Sequence, residues 1–277
     1  MPHAVAAILA RAAAIAVIAV GSAMPQTAGA SPAHSDGRTI QIDADALAVD
    51  AKASIATATG GVRISDGVRT ATAARATIEQ RRGRAVLVGD AKVTDPRGTI
   101  RGQEITLLFS SRAITRIVAR HAAGAETSTT QVRADVITLL PQTESVTAEP
   151  NVTLLVKPDV VATGTRLNFA RAGGPIVLEG PARVQTADGF IEGQRVEGDE
   201  RLSRVMVTGE VHARYRGVDV RSRTAEIFSE EKRATFLGDV RVEQPGRTLR
   251  TDRVTVWYAI GRVLAEGPTH MRFESTP

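Results

Sequence analysis

Residues able to do acid–base, nucleophilic or metal chemistry are sparse in this chain, and their spacing suits none of it. Five histidines, His3, His34, His121, His212 and His270, stand at intervals that fit no metal site. Cysteine is absent, so neither a thiol nucleophile nor a disulfide is available. No Gly-x-Ser-x-Gly elbow and no phosphate-cradling Gly-Lys-Ser/Thr loop occurs. Carboxylates such as Asp66 and Asp95 recur beside Gly or Pro, where a short acidic side chain holds a turn by bonding to its own backbone. Paired carboxylates of the kind used by polysaccharide-cleaving β-solenoids are the one enzymatic option left. The expectation is a protein that is not an enzyme and needs no metal and no cofactor.

What the chain offers instead is apolar surface at fixed spacing. Apolar residues make up 43% of 277 positions while aromatics make up 3%, so packing rests on Val, Ile, Leu and Ala. So few rings disfavour a base-stacking surface for single-stranded nucleic acid. The net charge of +5 comes from 35 basic and 30 acidic residues spread without a run, which leaves no nucleic-acid footprint. Such a surface suits an acidic partner, phosphorylated lipid included, and equally suits a plain solvated face rich in Arg.

The spacing is a repeat. Phe236-Leu237-Gly238-Asp239-Val240-Arg241-Val242 and Leu87-Val88-Gly89-Asp90-Ala91-Lys92-Val93 are variants of one phrase. Its anchoring glycines, Gly60, Gly89, Gly180, Gly209, Gly238 and Gly267, fall 29 residues apart within each run. Pro150 marks a further copy in the gap, and one near Arg120 is barely recognisable. Around each anchor the apolar positions alternate. Two before stand Ala58, Leu87, Ala148, Leu178, Val207 and Phe236; two after stand Val62, Ala91, Val152, Ala182, Val211 and Val240; four after stand Ile64, Val93, Leu154, Val184, Ala213 and Val242. Period two means a strand with one buried face.

Turn residues follow six to nine positions past the anchor, as in Asp66-Gly67, Asp95-Pro96-Arg97-Gly98, Asp188-Gly189, Arg216-Gly217 and Pro245-Gly246. A second strand then presents Ala71, Ile100, Val161, Ile191, Val220 and Leu249 at offset eleven. Ala76, Ile105, Val196, Ala225 and Val254 stand at sixteen, and Ile78, Leu107, Ile227 and Val256 at eighteen. Each unit therefore reads as a β-hairpin, and about sixteen strands with almost no helix are expected. A hairpin cannot bury its apolar face alone, so copies must stack around one interior. The Ala- and Thr-rich stretch Ala122 to Thr130 reads as a longer loop or a bend.

The first thirty residues read as an export signal. Arg11 closes a short basic region, Ala12 to Val20 is apolar, and Ala28-Gly29-Ala30 offers a small-x-small cleavage site. The competing reading is an uncleaved anchor from Ala4 to Ala23. The organisation expected is a signal peptide over 1–30, then two continuous halves over 31–150 and 151–277.

The opening Ile40-Gln41-Ile42-Asp43-Ala44-Asp45, then Gly60-Gly61-Val62-Arg63-Ile64, then Val86 to Val93 and Ile100-Arg101-Gly102-Gln103-Glu104-Ile105, resembles the periplasmic lipopolysaccharide-transport bridge proteins, the LptA/OstA-like family. The likeness is clearest over 39–120 and returns over 175–275. It implies an elongated, taco-like antiparallel β-jellyroll in the periplasm whose inner face holds the acyl chains of lipopolysaccharide. It also implies end-to-end pairing with other transport components, or head-to-tail with itself, through edge strands. This chain is longer than one family domain, so bridge protein, the related LptC-like anchored component and a fusion all stay open.

Each buried lipid CH₂ contributes roughly 0.8 kcal/mol, so acyl chains can be held with no polar signature at all. The groove residues expected are Val62, Ile64, Ile78, Leu87, Val93, Ile100, Ile105, Leu107, Val152, Leu154, Leu178, Val184, Val207, Val211, Phe236, Val240, Val242, Val254 and Val256. The edge contacts expected are Ile40, Ile42, Met271 and Phe273. The rival reading is a structural or adhesive β-repeat rod of the cell envelope.

Overall fold

A computed structural model of the protein describes residues 41–96, 98–110, 113–170, 175–187, 189–199 and 203–273. The expected leader and Ile40 lie outside these. Among the described residues the chain forms a twenty-stranded antiparallel sheet, with one 3₁₀ turn at Gln80–Arg82 and no α-helix. The all-β, antiparallel hairpin class is the one the alternation predicts. The strand count exceeds sixteen because four strands are interrupted. β1 (Gln41–Asp43) and β2 (Ala46–Asp50) share one neighbour, β3 (Ile55–Ser65). The other interrupted pairs are β9 (Ser145–Glu149) with β10 (Val152–Val156), β11 (Val160–Gly164) with β12 (Arg166–Ala170), and β19 (Arg262–Glu266) with β20 (His270–Phe273).

The chain divides into two compact units. The first holds the described residues up to Ser128 together with Asp135–Val146. It contains β3, β4 (Thr70–Glu79), β5 (Arg84–Asp95), β6 (Gly98–Ser110) and β7 (Ala113–Glu126) as consecutive hairpins. The second holds Thr129–Ala134 and everything described from Thr147 onward. Its consecutive hairpins are β13 (Ile176–Thr186), β14 (Gly189–Gly198), β15 (Arg204–Tyr215), β16 (Val218–Phe228), β17 (Arg233–Gln244) and β18 (Arg247–Trp257). The remaining strand, β8, is Thr130–Leu140.

The repeat anchors are β-bulges in the middle of strands. On β3, Gly60 and Gly61 together oppose one residue of β4, and the register slips between Thr59 and Val62. Equivalent slips occur between Val88 and Ala91, Thr208 and Val211, and Leu237 and Val240. A bulge of this kind needs positive φ and bends the strand. Gly89 shows why glycine marks it: its φ is +84°, and a Cβ there would lie 2.7 Å from the Cβ of Ala74 on the neighbouring strand. The residue after it, Asp90, is also left-handed at φ 45°.

The indistinct copy near Arg120 is the same device without glycine. His121 and Ala122 have φ of 59° and 58°, and the ladder slips between Arg101 and Glu104 opposite them. The stretch expected to be a longer loop or bend is therefore strand up to Glu126, with β8 starting at Thr130. At the Pro150 copy, Asn151 takes φ 59° and the strand is cut into β9 and β10.

The bulge also shifts the buried face by one residue. On β4, Ala71 and Ala73 are buried, Ala74 and Arg75 are exposed, and Ala76 is buried again. Both arms of the bent strand thus put apolar side chains inside. Between hairpins the turns are held locally: Asp66 Oδ1 accepts from the Val68 and Arg69 N–H groups at 3.0 and 2.6 Å, and Asp95 Oδ1 from Gly98 N–H at 3.0 Å. Arg216 and Gly217, at φ 43° and 82°, form a two-residue reversal whose twist matches the strands.

Candidate functional site

Apolar rungs run from strand to strand. In the second unit one row pairs Leu178, Val196, Val207, Ala225, Phe236, Val254 and Ala265, each directly opposite the next. It lies on the arm before the bulge. On the arm after it, a second row pairs Val184, Ile191, Ala213, Val220, Val242, Leu249 and Met271. Burial in this second row fades along the stack. Ile191 and Ala213 are fully buried, Val220 is 8% exposed, Val242 and Leu249 are half-buried, and Met271 is 54% exposed. The first row stays closed through Phe236 and Val254, at 1% and 2%.

Where the rows separate, a cavity of about 310 Å³ opens among β15 to β20. That is at the low end of the range of ligand cavities, roughly 300–1,000 Å³. One wall is Val220, Val242, Leu249 and Met271; the other is Ala234, Phe236, Val254, Val256 and Val263. Tyr215 and Tyr258, both buried, also line it. The Tyr258 hydroxyl donates to the Ser229 carbonyl at 3.3 Å, and burial pushes its pKa up to about 12. The polar part of the wall is Gln244, Arg247 and Thr248 at the turn between β17 and β18, which also edge a polar surface groove outside. Among the described residues no carboxylate or imidazole lines the cavity, whose wall is mostly apolar and can hold an apolar ligand.

Of the expected groove residues, Phe236, Val242, Val254 and Val256 stand on this wall. Val207 and Val211 lie deeper in the same stack, fully buried, as do Leu178 and Val184. Val240 is 1% exposed beside the bulge, opposite Thr251, and is not part of the wall. Val152 and Leu154 are buried on β10. In the first unit Val62, Leu87, Val93, Ile100 and Ile105 are buried, and Ile64, Ile78 and Leu107 are half-buried. Sequence reasoning missed Ala234 and Val263, which share one position, four before an anchor, and would have been found by extending the alternation one step. It also missed Tyr215 and Tyr258, which follow no repeat offset.

At the edges, β1 and β2 pair only with β3, and β19 and β20 only with β18, among the described strands. Ile42 is half-buried, and Met271 and Phe273 are exposed. β2, not foreseen, carries the exposed side chains Leu47 and Val49.

The opposite face is polar and ion-paired in its middle. His212 Nδ1 lies 3.0 Å from Glu192 Oε1 and Nε2 lies 2.8 Å from Asp219 Oδ2, while Arg183 meets Glu192 at 2.7 Å. Burial works against ionisation of Asp219, yet hydrogen bonds from His212 and Arg214 hold its carboxyl below the ordinary value. Among the described residues no cluster of three His, Cys, Asp or Glu could hold a metal, and no helix is long and apolar enough to cross a membrane.

Fold and site together define an antiparallel β-repeat protein with an apolar interior open near its last strands. No family model matches the chain, and no curated protein matches it. Among solved structures it is similar to the crystal structure of LptH, the LptA homologous periplasmic component of the conserved lipopolysaccharide transport device from Pseudomonas aeruginosa. Identity is 15% over 62% of this chain and 83% of that chain, with a TM-score of 0.23.

Proposed function

We propose that this protein is an exported lipopolysaccharide-transport component of the periplasm that holds acyl chains by apolar contact alone. The observation that carries the reading is the cavity between the two apolar rows, walled by Val, Leu, Phe and Met and open toward the last strands. Burying several methylenes there, at roughly 0.8 kcal/mol each, gives useful affinity without a specific hydrogen bond. The particular lipid comes from the resemblance of the opening strands and the Gly-anchored phrase to the bridge proteins of that transport system. Edge strands β1 and β2 at one end of the chain, and β19 and β20 at the other, pair on one side only among the described strands, and a partner strand can pair with the other side. They are the contacts through which it joins other components or its own copies.

The test is a photocrosslinking residue at Val242 and, separately, at Leu87, in cells making labelled lipopolysaccharide. Crosslinks are expected from Val242 and not from the sealed Leu87 position. Val242→Asp should abolish lipid capture, because an unpaired carboxylate beside acyl chains costs several kcal/mol. Lipid-free protein in every case would leave the envelope rod as the better reading.

A further inference from the structure

The outward side chains carry a second regularity. Three past each glycine anchor, between the inward offsets two and four, stand Arg63, Lys92, Arg183, His212, Arg241 and His270. The copy at Pro150 has Thr153 there. The next outward position does not keep to one type: it reads Ser65, Thr94, Gln185, Arg214 and Glu243.

Strand register turns this recurrence into a row. In the second unit Arg183 faces Glu192, Glu192 faces His212, His212 faces Arg221, Arg221 faces Arg241, Arg241 faces Arg250, and Arg250 faces His270. At the start of the row Glu192 forms an ion pair with Arg183 and a hydrogen bond with His212. From Arg221 onward the row contains no acid. Arg221 reaches Asp219 only at 3.7 Å, and that carboxylate is also taken by His212 and Arg214. Arg241 and Arg250 are exposed and make no ion pair among the described residues. In the first unit Lys92 faces Arg101 in the same way, again without an acidic partner among the described residues.

Like-charged residues directly opposite on a sheet, their Cβ atoms about 4.5–5.5 Å apart, are destabilising. Three consecutive arginines therefore oppose the fold, and an external anion is what would compensate them. The stripe is open, and the broad groove of about 570 Å³ beside it is lined by Arg221 and Arg241 together with Glu210 and the Arg223–Asp239 ion pair. The uncompensated charge therefore lies along the exposed row itself and suits a surface of many phosphates better than one enclosed ion. Its far end is His270 on the last strand, opposite Arg250, with the exposed Arg272 two residues on.

We propose that Arg221, Arg241 and Arg250 dock this face of the second unit on anionic phospholipid head groups of a membrane surface. The site is separate from the lipid cavity and does not depend on what fills it.

The experiment is cosedimentation of the full chain with phosphatidylcholine vesicles and with vesicles also containing phosphatidylglycerol, at low and high salt. R221Q/R241Q/R250Q should bind the anionic vesicles roughly a hundredfold more weakly, about fivefold per charge. Binding to neutral vesicles, to which the apolar leader contributes equally in all variants, should not change. The all-lysine version should bind the anionic vesicles within a few-fold of the parent, since surface attraction needs charge and not a guanidinium fork. The glutamine variant should melt no lower than the parent, because the opposed charges are gone. Undiminished binding by the glutamine variant would overturn the proposal. So would equal loss in the lysine variant, or capture of polyglutamate with no preference for anionic vesicles.

Discussion

The hairpin β5–β6 in the first unit and the hairpin β17–β18 in the second are copies of one phrase, yet one is sealed and the other open. On the arm before the bulge they agree: Leu87 and Ile105 are fully buried, and so, within 2%, are Phe236 and Val254. On the arm after it they part, with Val93 and Ile100 at 7% and 2% but Val242 and Leu249 half-buried. The side chains are nearly equivalent, so the difference lies in what flanks them. β5–β6 has a long strand on each side, β4 and β7. Among the described strands, β18 has beyond it only the five-residue β19 and the four-residue β20. An apolar repeat thus becomes a closed core or an open cavity according to its neighbours in the stack.

The largest effect expected from this difference is on stability. Leu87→Ala should cost about 2–5 kcal/mol in urea unfolding, the usual range for a fully buried leucine, whereas Leu249→Ala should cost about 1 kcal/mol, its side chain being only half withdrawn from water. Equal costs would mean that the second site is closed in solution. A smaller contrast is expected at the bulges. Gly89→Ala should cost about 2 kcal/mol and Gly238→Ala about 1, since both take positive φ. The first new methyl meets the fixed Cβ of Ala74, while the second meets the flexible Arg223 side chain.

The smallest and most selective effect is alkaline. Tyr258, in the second unit, has a pKa raised from 10.0 to about 12 by burial. Its contribution is present below pH 10, where both folded and unfolded forms are neutral. It falls as pH rises from 10 towards 12, where only the unfolded phenol ionises. Tyr258→Phe should flatten that part of a stability-against-pH curve, and the first unit, with no tyrosine, should not share it.

The repeat, its turns and most of the inward set were legible because each is written in local residue types: Gly at the anchor, Asp–Gly or Pro–Gly at the reversals, and Val, Ile, Leu or Ala at alternate sites. Val161, placed inward by the Pro150 copy, is instead exposed on β11, where Val160 and Ala162 are the buried residues. The bulge was also written, though less plainly. The inward offsets eleven and sixteen differ by an odd number, which a regular strand does not allow on one face, and that parity break is the phase shift seen between Ala73 and Ala76. His121–Ala122 carries the same bend with no glycine to announce it. The cavity could not be read, because Val93 and Val242 occupy one sequence position and differ only in strands that lie elsewhere in the chain. The choice of Val240 as a lipid contact failed to separate packing beside a bulge from lining an opening.

The stacked bulges make the molecule's length divisible. Because every anchor sits at the same point of its strand, removing 181–209 would splice the first arm of β13 onto the second arm of β15. The spliced strand meets β16 with the pairings β15 now has, and β11 and β12 with those β13 now has. No turn is cut and no rung is left facing the wrong side. Such a protein can be lengthened or shortened by whole hairpins, through recombination or by design, without solving the folding problem again.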